Sequence, residues 1–116
     1  MSSITVEHRD NGIAHVVLSR PDRRNAIDWG MLTALARVAQ KLKGDRSLRA
    51  VILRGDGPSF CSGLDFPRMT KTPGRIVQAF FTPLRGETNL FQRACWAWRD
   101  VPVPVIAALH GHCFGG

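Results

Sequence analysis

Apolar residues crowd two short β-rich runs at the start of the chain, Ile4–Arg9 and Ile13–Leu18, separated by Asp10-Asn11-Gly12. Asn-Gly readily takes the positive φ values of a tight turn, so the pattern predicts a β-hairpin. A polar loop follows from Ser19 to Asn25, in which Pro21 stops the strand. From Trp29 to Lys43 the period changes: Leu32, Leu35, Ala36, Ala39 and Leu42 recur at helical spacing, with Arg37, Gln40, Lys41 and Lys43 off that stripe. Asp28 is placed to N-cap this helix and Gly44 to close it.

Arg49–Arg54 encloses Ala50-Val51-Ile52-Leu53, a continuous apolar run that predicts a strand buried on both faces. Gly55 to Pro58 reads as a turn. Beyond Phe60 to Phe66, Pro67, Pro73 and Pro83 break any long helix, leaving a short helical stretch at Arg75–Phe81. Thr88–Arg99 is a better helix, with Leu90, Phe91, Ala94, Ala97 and Trp98 on one side. Val101-Pro102-Val103-Pro104 is an extended entry into a final buried strand at Ile106 to Leu109, which runs into a glycine-rich turn from Gly111 to Gly116. Hairpin, helix, strand, helix and strand in that order predict an α/β domain with a mainly parallel sheet covered by helices. A domain rarely finishes on an uncovered strand and a glycine turn, so residues 1–116 read as one incomplete domain whose C-terminal half is absent.

Composition narrows the class. The 116 residues are 44% hydrophobic and 22% charged, an ordinary globular balance. The longest apolar run, Val105 to Leu109, is strand-sized and far short of a membrane span. The first residues lack both a secretory pattern and an Arg-rich amphipathic one, which makes the cytoplasm the default location. The three cysteines, Cys61, Cys95 and Cys113, form no CxxC pair and are odd in number, as suits a reducing compartment. The net charge of +7 includes a cluster at Arg20, Arg23 and Arg24 in one loop, which favours a local phosphate contact over a nucleic-acid stripe. No aromatic RNA-binding signature accompanies it, and tyrosine is absent.

Two glycine turns follow predicted strands: Phe60-Cys61-Ser62-Gly63-Leu64-Asp65, and Gly111 to Gly116. In an open α/β sheet, ligands gather beyond the carboxyl ends of the strands, where both turns would sit. Each is able to aim one backbone N–H at a single oxygen, and two such donors stabilise a developing oxyanion. Taken singly, each also reads as a plain tight turn.

Three segments, Ser19-Arg20-Pro21 with Asn25-Ala26, Phe60 to Asp65, and Ile106-Ala107-Ala108-Leu109-His110-Gly111 through Gly115-Gly116, resemble the enoyl-CoA hydratase/isomerase (crotonase) family in order and spacing. The resemblance spans nearly the whole chain and about the N-terminal half of a family member. It implies a crotonase-like fold, a spiral of ββα repeats, here incomplete. It also implies an acyl-coenzyme A substrate, the coenzyme being carried by the substrate rather than held as a separate cofactor. The family's coenzyme-binding segments map onto Arg24, Asn25 and Ala26 and onto Ser62, Gly63, Asp65 and Phe66, with Arg23 or Arg24 able to add a charge-assisted bond to a phosphate. The thioester oxygen falls to the backbone N–H groups of Leu64 and Gly116. Asp65 reads as a structural cap rather than a catalytic acid. Leu64 is bulkier than the usual residue there and narrows the acyl pocket, and Pro67 puts the helix expected after it in doubt. The acid/base glutamates of the family's hydratases fall beyond Gly116, and Glu87 reads as a solvated helix-start residue. Hydration of an enoyl-CoA leads, with double-bond isomerisation, another family reaction or a non-catalytic acyl-CoA-binding role as alternatives. The resemblance further implies a homo-trimer or hexamer for the full-length protein, with neither nucleic acid nor membrane as partner.

Other constellations are weaker. Gly111 to Gly116 opens like a phosphate-binding P-loop, which would need Lys then Ser or Thr next; the chain ends before that test, and the two upstream family segments count against it. His110-x-His112-Cys113 lacks a third ligand cluster, so no metal is expected. Cys61 occupies the second glycine position of a GxSxG elbow, and reads as a small buried filler before a reactive thiol. Trp96 and Trp98 read as packing residues.

Overall fold

The computed structural model describes residues 3–81 and 90–115. Strands β1 (Ile4–His8) and β2 (Ile13–Leu18) form the expected antiparallel hairpin, with Val6 opposite Val16. In its turn Asn11 Oδ1 accepts from the Ile13 N–H, and of the Asn-Gly pair only Gly12 takes a positive φ. Helix α1 (Trp29–Lys43) starts where Asp28 Oδ1 accepts the Met31 N–H at 2.9 Å. Gly44 closes it with an ordinary right-handed φ of −88°.

After α1 come strands β3 (Ala50–Gly55) and β4 (Cys61–Ser62), helices α2 (Phe66–Met69), α3 (Pro73–Phe81) and α4 (Leu90–Trp96), and strands β5 (Val105–Ala107) and β6 (Cys113–Gly115). Helix α4 tightens into a 3-10 turn at Ala97–Asp100. The main sheet has the order β1-β2-β3-β5, parallel from β2 onward, and β4 pairs with β6 in a second parallel sheet. Mixed α/β architecture with a mainly parallel sheet is therefore what forms. Among the described residues no helix is long and apolar enough to cross a membrane.

The core lies against one face of the main sheet. Ile4, Ala14, Val16, Leu18 and Val51 meet Met31, Leu32, Leu35, Ala39 and Leu42 from α1, and Ala94 joins them from α4. This corrects the expectation that β3 is buried on both faces: Ile52 and Arg54 are only half-buried. Their face of the sheet mixes apolar Val17 and Ile52 with polar groups, Glu7 pairing to Arg9 at 2.9 Å and to Arg54 at 3.6 Å. The last predicted strand is likewise shorter and more open. It ends at Ala107; Ile106, paired with half-buried Ile52 on the face away from α1, is 55% exposed, and Leu109 lies beyond the strand at 62%.

Pro67 does not prevent a helix. It occupies the first turn of α2, where a backbone N–H has no intrahelical partner to lose, and Asp65 Oδ1 caps the turn by accepting the Arg68 N–H at 3.3 Å. The predicted glycine turn at the end of the chain proves to contain a strand, β6, held against β4. Pro83, Glu87 and Thr88, and with Thr88 the predicted start of the second long helix, lie outside the described residues, as does Gly116.

Candidate active site

The loop between β2 and α1 is pinned from inside. Arg24 and Asn25 both take left-handed backbone angles, with φ of 50° and 56°. Asn25 is fully buried, and its side chain is spent on the protein itself. Its Oδ1 accepts the Arg20 N–H at 2.8 Å, while Nδ2 donates to the carbonyls of Asp56, Ser59 and Phe60 at 3.0, 2.9 and 3.1 Å. These bonds fasten the loop to the end of β3 and the approach to β4.

That fastening lays residues 24–27 alongside residues 62–65. The Ser62 N–H donates to Arg24 O at 3.0 Å, Ile27 N–H to Gly63 O at 2.8 Å, and Asp65 N–H to Ile27 O at 2.8 Å. Leu64 is the residue bridged to Ile27. In such a parallel bridge its own N–H takes no part, and that N–H has no hydrogen-bond partner among the described residues. Gly63, with φ at +96°, makes the turn that presents it, a conformation costly for any residue with a side chain.

The second glycine turn arrives at the same place. Ser62 pairs with Gly115 across the β4–β6 sheet, and a Cβ on Gly63 would stand 3.6 Å from the Gly115 Cα. The loop that leads into β6 is tied down by His110 Nε2 at 2.9 Å from Gly57 O and by His112 Nδ1 at 3.2 Å from Ser59 Oγ. Those contacts give both histidines a structural use, and the described residues contain no cluster of three groups suited to a metal.

Leu64 also stands between two apolar cavities. One of about 500 Å³ is lined by Leu18, Ile27, Phe60, Cys61, Phe91 and Trp98 among others, and one of about 350 Å³ by Phe66, Met69, Ile76 and Phe91; Leu64 lines both. The unpaired donor thus belongs to a residue on the walls of space suited to an aliphatic chain. Cys61 is 1% exposed; its Sγ accepts the Gly63 N–H and donates to Asn25 O, each at 3.4 Å. Burial pushes its thiol up from the ordinary range, with the Gly63 N–H opposing more weakly, so it stays protonated and un-nucleophilic near neutral pH.

Comparison with known proteins identifies the family. The family model for enoyl-CoA hydratase/isomerase matches residues 8–116. The chain belongs to that family. It is 36% identical to the mitochondrial delta(3,5)-delta(2,4)-dienoyl-CoA isomerase of Rattus norvegicus, over 98% of this chain and 36% of that protein. To the mitochondrial methylglutaconyl-CoA hydratase of Mus musculus it is 30% identical, over 96% of this chain and 33% of that one. The solved enoyl-CoA hydratase of Bacillus anthracis matches with a TM-score of 0.78 over 94% of this chain and 40% of that one, at 23% identity, a likeness of fold. The chain therefore spans 36% and 33% of the two curated relatives' lengths.

Within the enoyl-CoA hydratase/isomerase frame, the structure brings most of the sequence-selected residues together. Arg24 to Ala26 and Ser62 to Asp65 form two adjacent, hydrogen-bonded rims, and Gly115 packs on Gly63. Phe66 is 64% exposed at the start of α2. Gly116 lies outside the described residues. Two readings change. Asn25 is an internal fastener throughout: besides its side chain, its N–H donates to Arg20 O at 2.8 Å and its carbonyl accepts from Cys61 Sγ at 3.4 Å. Arg20, grouped by sequence with Arg23 and Arg24 as a phosphate contact, is buried and ion-paired with Asp65 at 3.2 Å and Asp28 at 3.5 Å. Sequence reasoning missed the cavity walls contributed by Met69 and Ile76, which sit in short helices with no long period to reveal them.

Proposed function

We propose that this chain holds the thioester of an acyl-coenzyme A and stabilises its enolate, as part of an enoyl-CoA hydratase. The observation that carries the reading is the unpaired Leu64 N–H, on a residue that lines two apolar cavities, with Gly63 packed against Gly115. Hydration of a 2-enoyl thioester adds water oxygen to C3 and pushes the double-bond electrons through C2 onto the thioester oxygen. Two N–H donors, from Leu64 and Gly116, would bind that oxyanion, each worth about 2.7–4 kcal/mol of transition-state stabilisation. Protonation at C2 then restores the thioester, with no cofactor beyond the coenzyme A of the substrate. The coenzyme-binding surface runs along the rims 24–26 and 62–66, where Arg24, Ala26, Ser62 and Phe66 reach solvent and the buried Asn25, Gly63 and Asp65 hold them in place, with exposed Arg23 and Arg24 available to phosphate.

A second reading, double-bond isomerisation, is favoured by the dienoyl-CoA isomerase name of the rat relative. It uses the same oxyanion site without adding water: a base takes a proton from the acyl chain, the electrons run onto the thioester oxygen as a dienolate, and the proton returns at another carbon. The acid/base groups for either reaction are proposed to come from outside residues 1–116, in a full-length homo-trimer or hexamer. A cytoplasmic location is proposed from composition alone, and fractionation tests it against the mitochondrial assignment in the relatives' names.

Titrating the chain with coenzyme A and, separately, with duplex DNA tests the functional reading. Saturable coenzyme A binding is expected. Tight, steeply salt-dependent DNA binding without coenzyme A binding overturns it.

A further inference from the structure

Two peptide units stand in series between a buried cation and the unpaired Leu64 N–H. Arg20 Nη1 donates to the carbonyl of Ala26. The opposite end of that peptide is the Ile27 N–H, which donates to Gly63 O at 2.8 Å. The opposite end of the Gly63 peptide is the Leu64 N–H itself. No described peptide bond is cis, and in a planar trans peptide the C=O and N–H point in opposite directions, so each bond aims the next. We infer that Arg20 is a positioning residue for the oxyanion site, orienting and polarising the Leu64 N–H through the Ala26–Ile27 and Gly63–Leu64 peptides. This inference rests on reading Leu64 as the oxyanion donor.

The guanidinium is itself held rigidly. Its side chain is 10% exposed, with Nη2 at 3.2 Å from Asp65 Oδ2 and Nη1 at 3.5 Å from Asp28 Oδ2. Each carboxylate spends its other oxygen on a helix N-terminus, Asp65 on the Arg68 N–H and Asp28 on the Met31 N–H. One arginine therefore joins the caps of α1 and α2, the two helices that flank the site. Asp65 closes the frame from the far side, since its N–H donates to Ile27 O at 2.8 Å. The two carboxylates make burial of the cation tolerable and offset its field at a distance. What reaches Leu64 is the directional part, the polarisation carried along the hydrogen bonds.

Arg23 and Arg24, in the same loop, are exposed and make no ion pair with a carboxylate among the described residues. Arg20 is the member of the arginine cluster built into the protein. A cooperative gain of 10–30% on a donor worth 10²–10³ in rate corresponds to roughly a two- to eight-fold effect on oxyanion binding.

The test uses the isotope-labelled chain and two ligands. Coenzyme A lacks the thioester oxygen, whereas acetoacetyl-CoA presents an enolate oxygen to the same site. Arg20→Gln keeps a donor near Ala26 O but removes the charge. It is expected to shift the Ile27 and Leu64 amide proton resonances upfield together, to weaken acetoacetyl-CoA two- to eight-fold, and to leave coenzyme A affinity unchanged. Arg20→Lys, which keeps the charge without the fork, is expected to fall between the two. Unmoved Ile27 and Leu64 amides in Arg20→Gln, or equal losses for both ligands, overturn the inference. If Arg20→Gln does not fold, Arg20→Lys decides it by the same two amides, and unchanged resonances there count against it. In the native chain, absence of a scalar coupling across the Ile27 N–H···O=C Gly63 bond also overturns it. Binding of neither ligand by the native chain would instead refute the functional reading, while the ligand-free amide shifts still decide the relay.

Discussion

Asn25 shows how a residue selected for ligand contact serves the site from beneath. One buried carboxamide satisfies the Arg20 N–H and three carbonyls, those of Asp56, Ser59 and Phe60. The Arg20 N–H and the Ser59 and Phe60 carbonyls are buried and lose their partner once the side chain is removed. Asn25→Ala is therefore expected to destabilise the chain by about 3 kcal/mol or more, the cost of a broken buried network. Urea unfolding followed by tryptophan fluorescence measures it, and a loss under 1 kcal/mol would show that the network relaxes onto other partners. The same residue explains why its role was hidden in the sequence. An asparagine before an alanine in a polar loop looks alike whether its amide faces a coenzyme or a cluster of carbonyls 31 to 35 positions away.

At the level of elements, the site depends on docking β6 beside β4, and the loop before β6 does that docking. Gly111 has φ at +58°, and a Cβ there would stand 1.9 Å from the Pro58 carbonyl oxygen, a backbone atom with nowhere to retreat. The neighbouring anchors are strong: Phe60 N–H donates to His110 O at 2.9 Å and Cys61 N–H to His112 O at 3.2 Å. Gly111→Ala should break this register, separating Gly115 from Gly63 while leaving the β1–β2–β3 sheet and α1 intact. Hydrogen exchange checks it: faster exchange at Phe60 and Cys61, with Val16 and Val51 still protected, is the expected pattern. Uniform protection in the variant would mean that the close approach relaxes locally.

For the molecule as a whole, periodic features were legible and the close contacts were not. The 3.6-residue stripe and Asp28 cap placed α1 to the residue, and alternation with turn chemistry placed the hairpin. The order of elements was enough for a mainly parallel sheet. What escaped was set by contacts distant in sequence: the burial of Arg20 by a carboxylate 45 residues on, the one-sided covering of β3, and β6, whose three residues carry no period of their own. The motif segments announced the family, yet only the fold shows that Gly63 and Gly115 meet. The same fold limits what these residues accomplish chemically. Among the described residues no carboxylate lines either cavity beside Leu64. Asp28 and Asp65, the acids built into the frame, each give one oxygen to a helix cap and turn the other to Arg20. A general base must reach the proton it takes, and neither is free to move a proton to or from water or a substrate carbon. Cys61, the nearby thiol, is held protonated by its burial. The 116-residue chain is therefore expected to bind acyl-CoA without turning it over. Loss of the conjugated thioester absorbance of crotonyl-CoA measures hydration directly. Turnover by the pure chain that survives removal of contaminating hydratase would place a working acid/base group within residues 1–116 and overturn this expectation.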